Sequence, residues 1–104
     1  FLSSNIKYPE YCDSYGITGK VYVQFVVDET GELENISVIK TEVQRTIRLQ
    51  LTIQEQTETV RKCGMLFQAE AIRVVEKMKD WIPATRYGHP VKVKFTLPVT
   101  FRLG

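Results

Sequence analysis

The chain has 104 residues, 43% hydrophobic and 25% charged, the composition of one globular domain with a single core and no room for a second. Fourteen Lys and Arg against twelve Asp and Glu give a formal charge of +2, too small to make nucleic acid the expected partner. A domain of this size buries roughly 60–70% of the surface its unfolded chain exposes, so neither a metal nor a disulfide framework is needed for stability.

Pro9 suits the first turn of a helix, which predicts a short helix over residues 10–15 stopped by Gly16. Val21, Val23, Phe25 and Val27 alternate with Lys20, Tyr22 and Gln24, the period of a strand with one face in a core. Asp28-Glu29-Thr30-Gly31 reads as a turn, and Leu33 to Lys40 as the returning strand of an antiparallel hairpin. Leu33 is out of phase with Ile36 and Val38, which predicts a bulge near Asn35.

Two patterns overlap in residues 41–64. Ile47, Leu49, Leu51 and Ile53 alternate as in a strand, while Val43, Ile47 and Leu51 share one helical face; extended structure is the expectation, with an added strand over 46–53. From Phe67 the period changes. Phe67, Ala71, Ile72, Val75 and Met78 form a helical stripe with Glu70, Arg73, Glu76 and Lys77 outside it, predicted to end near Asp80-Trp81 because Pro83 cannot extend it. Arg86 to Pro90, with Gly88, reads as a turn. In the last strand Val91, Val93, Phe95, Leu97, Val99, Phe101 and Leu103 face the core, while Lys92, Lys94, Thr96, Pro98, Thr100 and Arg102 face away. Pro98 has no ladder donor and is tolerated mainly at an edge, where outward lysines limit unwanted pairing. The same geometry can bind a partner strand.

From Trp81 onward Arg86, Lys92, Lys94 and Arg102 are accompanied by no acid, so this stretch suits an acidic or polar partner. No apolar run approaches the roughly 20 residues of a transmembrane helix. The chain opens at Phe1 without Met or a signal-peptide pattern, as expected of a piece of a longer protein with any anchor or linker upstream.

Catalytic constellations are not expected. The single histidine, His89, sits in a Gly-His-Pro turn, Asp28 and Glu29 are adjacent acids in another, and two cysteines with one histidine give no zinc spacing. Phosphate-binding glycine motifs are missing from the sequence. Trp81 reads as a core plug. Cys12 and Cys63 are either two buried thiols or one disulfide, which requires Cα atoms within about 7 Å.

Asn5-Ile6-Lys7-Tyr8-Pro9, the run Gly16 to Asp28 and Gly31 resemble the opening of a TonB C-terminal domain. Glu70 to Val75, Met78, Trp81, Pro83, Gly88, Pro90-Val91 and Phe95 to Phe101 follow that family's closing pattern, in the style of Bacteroidetes-type TonB proteins. The resemblance implies an α+β fold: two helices packed on one face of an antiparallel sheet of about three strands, with an extra inserted segment over about 41–66. It also implies a periplasmic domain, anchored to the inner membrane through a missing N-terminal helix and working with a proton-driven motor. Such a domain binds the TonB box of outer-membrane transporters by strand addition and transmits energy for uptake, with no catalysis and no cofactor. Carried over by position, Tyr8 and Pro9 match the family's YP motif near the transporter contact, and the receiving strand supplies Val91, Lys92, Val93, Lys94, Phe95, Thr96, Thr100 and Arg102. Edge strands also offer a route to a homodimer. Cys12 and Gln68 depart from the family pattern, which favours a small residue and an Asp helix cap there. Competing expectations are a TonB-like sensory or regulatory domain on a membrane protein, and an envelope tether resembling the terminal domain of TolA.

Overall fold

The computed structural model describes residues 5–45, 51–78 and 81–102. In chain order they form α1 (Glu10–Ser14), β1 (Ile17–Val27), β2 (Leu33–Arg45), α2 (Ile53–Glu76), β3 (Ala84–Arg86), β4 (His89–Val91) and β5 (Val93–Phe101). An antiparallel sheet has the order β2-β1-β5, and β3 and β4 form a separate ribbon. Two helices on a three-stranded antiparallel sheet is the expected α+β arrangement, with the small ribbon added.

The alternation in β1 places Ile17, Val21, Val23, Phe25 and Val27 in the core, each at most 2% exposed. The same face of β5 contributes Val99 and Phe101. Helix α2 covers this face with Cys63, Phe67, Ala71 and Val75, four residues apart along one stripe, and α1 adds Cys12. Pro9 is the N-cap of α1, and Gly16 follows it at φ 66, the left-handed conformation that ends helices cheaply.

The bulge expected near Asn35 is present: the β1–β2 register shifts between Gln24 and Val26, and Asn35 has φ 55. A second shift falls between Tyr22 and Val23, leaving Ile39 unopposed and 51% exposed. In the β1–β2 turn the Asp28 carboxylate accepts from the Thr30 amide (2.8 Å), the Thr30 hydroxyl (2.6 Å) and the Glu32 amide (2.9 Å). Gly31, at φ 89, lies where a Cβ would collide with the Trp81 carbonyl, so this turn also seats the chain after α2.

The central segment differs from the expectation. Residues 53–64 are helical, Leu51 and Thr52 lie outside any strand, and Ile47 and Leu49 fall outside the described residues. The reason is a capping box: the Glu55 amide donates to the Thr52 hydroxyl (3.1 Å) and the Thr52 amide donates to the Glu55 carboxylate (3.2 Å), starting the helix fourteen residues before Phe67. Gln68 is therefore mid-helix, and its amide donates to the Thr41 hydroxyl on β2 (2.7 Å). Helix α2 ends at Glu76, short of Asp80-Trp81, with Lys77 as its C-cap. Residues 86–90 form a hairpin, because Tyr87 (φ 52) and Gly88 (φ 79) both take the left-handed conformation of a two-residue turn. The last strand is consequently interrupted at Lys92, and Leu103 falls outside the described residues.

Candidate functional site

Both outer strands of the sheet, β2 and β5, pair with β1 alone among the described residues. They are unlike as templates. β2 carries two register shifts and has Met65, Gln68, Ala69 and Ile72 of α2 alongside Ile36 and Val38, whereas β5 runs nine residues against β1 without a shift. Bulges and cover blunt an edge, so β5 is the better receiver of an added strand. Pro98 lies opposite Tyr22 on this edge, where a missing ladder donor is tolerated.

The C-terminal end of β5 is rigidly seated. Phe101 stacks on Phe67 with centroids 4.4 Å apart, and the Tyr8 ring stands edge-on to both, at 5.8 Å from Phe67 and 6.1 Å from Phe101. The Tyr8 hydroxyl donates to the Ile17 carbonyl. Burial, with the Asp13 charge adding to it, pushes the Tyr8 phenol up to about 12, so it remains a neutral donor. Gly19 makes this packing feasible: a Cβ there would stand 2.6 Å from the Glu42 carbonyl and 2.9 Å from the Phe67 ring. Gly19→Ala should cost about 1–3 kcal/mol by overpacking, read as a lower urea midpoint at unchanged slope.

The N-terminal end of β5 is more open. Phe95 is 39% exposed rather than buried as the alternation predicted, because its neighbours are Phe25 (6.2 Å) and Trp81 (5.8 Å) beyond the end of α2. Trp81 is half-buried with its ring 5.2 Å from Phe25, which fits a plug at this end of the core. Lys92 donates to Glu34 across the sheet at 3.3 Å, an exposed pair worth little. Val91 is half-buried in β4, and Lys94 and Thr96 are exposed on β5. His89 is an exposed residue of β4.

Val93, Lys94, Phe95, Thr96 and Thr100 thus lie on the β5 edge, while Val91 is in β4, Lys92 and Arg102 flank β5, and Tyr8 and Pro9 precede α1, so the candidate residues do not form one cluster. Tyr8 packs on Phe101 at the C-terminal end of β5, next in sequence to Thr100 and Arg102; seven residues of strand, about 23 Å, separate Phe101 from Lys94. Thr18, Lys20, Glu42, Thr100 and Arg102 line a depression beside the Tyr8 end; Thr100 and Arg102 were expected site residues, and Thr18, Lys20 and Glu42 were not. Their signal was available, since all five are even-numbered positions on alternating strands.

Glu70 and Arg73, placed outside the apolar stripe by periodicity, hold the N-terminal segment. Arg73 grips the Glu70 carboxylate through two bonds (2.6 and 2.7 Å) and donates to the Asn5 carbonyl (2.9 Å), while the Lys7 amide donates to Glu70 (2.5 Å). The Arg73 hydrogen bonds hold the Glu70 carboxyl below the usual Glu range, the partly opposing effect being its burial. A depressed folded pKa contributes stability above the unfolded value of about 4.3 and loses it as pH falls through the lower folded value. Glu70→Gln should therefore flatten the acid limb of the urea-midpoint profile below about pH 4.3 relative to the parent chain.

Cys12 and Cys63 are joined in a disulfide between α1 and α2, with Cα atoms 5.7 Å apart and both side chains fully buried. No group of three or more potential metal-ligating side chains occurs among the described residues.

Residues 4–47 match the family model of the Gram-negative bacterial TonB protein C-terminal. That match spans the YP motif, α1, β1 and β2, less than half of the chain. The solution structure of the Helicobacter pylori TonB C-terminal domain is similar at a TM-score of 0.50, with 19% identity over 99% of this chain and 74% of that one. The two findings together support a TonB-type C-terminal domain, the second through its fold alone. A search of curated proteins gave no match.

Proposed function

We propose that this chain is the periplasmic C-terminal domain of a TonB-type energy transducer, and that β5 receives the TonB box of an outer-membrane transporter by antiparallel or parallel strand addition. The observation that supports the reading is the nine-residue edge of β5, which among the described residues pairs on one side, with β1, and without a register shift. Strand addition draws on backbone hydrogen bonds that are indifferent to side chains, so one domain serves several transporters. Lys92, Lys94 and Arg102 bias the choice toward acidic segments, and Tyr8 and Pro9 border the far end of the bound strand. Upstream sequence supplies the inner-membrane anchor and the contact with a proton-driven motor in this reading. A buried disulfide fits an oxidising compartment such as the periplasm.

Backbone methylation of the peptide tests the mode of binding. Calorimetry with a TonB-box peptide should show affinity abolished when amides facing β5 are N-methylated and retained when the alternate amides are. Equal affinity of all methylated peptides contradicts strand addition.

A further inference from the structure

The segment before β1 is fastened to α2 at separate points. Arg73 and Glu70 hold the backbone of Asn5 and Lys7, Tyr8 is packed against Phe67, the Lys62 ammonium lies 4.0 Å over the Tyr11 ring, and Cys12 is bonded to Cys63. The disulfide encloses 51 residues of sequence separation, and within that loop lie the whole of β1 and β2.

We propose that residues 5–12 and α2 form a redox-dependent mechanical clamp, which carries a pull on the upstream chain through Cys12–Cys63 into α2 and leaves the β1–β2 hairpin outside the covalent load path. In the reduced chain, a pull that unwinds α1 arrives next at Ile17, the first residue of the central strand. Peeling β1 removes the strand with which β5 pairs. With the bond closed, the load reaches Cys63 in mid-helix instead, one turn before Phe67, whose ring stacks on Phe101 of β5. The edge strand is then loaded through the core while its partner strand stays in place. Closing the clamp oxidises two thiols to one disulfide, and a disulfide of an exchange partner is reduced to two thiols. Dithiothreitol reverses the exchange.

The use of such a clamp rests on the force-transmitting role proposed above; its mechanics do not, and they are tested without a transporter. The 104-residue chain is stretched between handles at its two ends, oxidised and in dithiothreitol. The oxidised chain should unfold at higher force at the same loading rate, and its total extension should be about 18 nm shorter because the loop cannot open. Equal unfolding forces in the two redox states, or full extension without reductant, overturn the proposal. Where the reduced chain is already unfolded before stretching, the oxidised chain is pulled with its first handle moved from residue 1 to residue 15, inside the disulfide loop and just before β1: a lower unfolding force there than from residue 1 supports the clamp, and equal forces contradict it. Failure of peptide binding with a working clamp refutes the transporter reading and leaves the clamp standing.

Discussion

Refolding the chain under reductant, so that Cys12 and Cys63 remain thiols, is expected to lower its thermal midpoint by roughly 15–30 °C. The bond closes a loop of 51 residues, and in the chain-entropy account this restricts the unfolded ensemble by about 4 kcal/mol. At a chain length near 100 residues each kcal/mol moves the midpoint by about 4–8 °C. Both cysteines are fully buried between α1 and α2, so reduction of the native protein requires opening, and the comparison is made after unfolding in denaturant with and without dithiothreitol. A Cys12→Ala/Cys63→Ala variant should resemble the reduced protein, with a small further loss from two truncated side chains. Midpoints that agree within a few degrees contradict the role assigned to the bond.

Phe67→Ala is expected to cost about 3–5 kcal/mol. Phe67 is fully buried and meets Phe101, Tyr8 and the Gly19 backbone from the middle of α2, so its removal opens a cavity among elements from three regions of the chain. Phe67→Leu retains most of the volume and should cost distinctly less. Urea unfolding gives the magnitude, and the Tyr8 ring resonances report whether the N-terminal segment stays seated. A loss below about 1 kcal/mol for the alanine variant contradicts the packing described.

Where one face of an element meets the core and the other meets water, its residues announce it. Val21 to Val27 and Val93 to Phe101 alternate for this reason, and both strands were legible with nearly correct limits. The edge position of β5 was legible through Pro98 and its outward lysines. The first half of α2 was not, because the alternation that leads up to Ile53 favours extended structure, whereas Ile53 begins the helix and is 84% exposed, so its apolarity reports no burial. The decisive signal was Thr52 with Glu55 three residues on, a pairing that outweighs alternation at a helix start. Tyr87 in a left-handed conformation could not be anticipated from its residue type, and with it went the interruption at Lys92. Glu70 and Arg73 could be placed only outside the apolar stripe, because periodicity within a helix carries no information about a segment more than sixty residues away.

For the candidate site, the edge was readable and its distribution was not. Tyr8 meets the C-terminal end of β5 because Phe67 and Phe101 stack and its ring stands against both, a contact between α2 and β5 that neither pattern contains alone. Phe95 alternates in phase with buried Phe101 yet lies beyond the cover of α2, so the same face is sealed at one end of the strand and open at the other.

The most direct test is a titration of isotopically labelled protein with TonB-box peptides, followed by amide chemical shifts and hydrogen exchange beside a scrambled control. Strand addition at β5 predicts shifts and new exchange protection concentrated on residues 93–101, with smaller shifts at Tyr8 and its neighbours, for the true peptides alone. Protection gained instead along Leu33–Arg45, or no change at millimolar peptide, contradicts it.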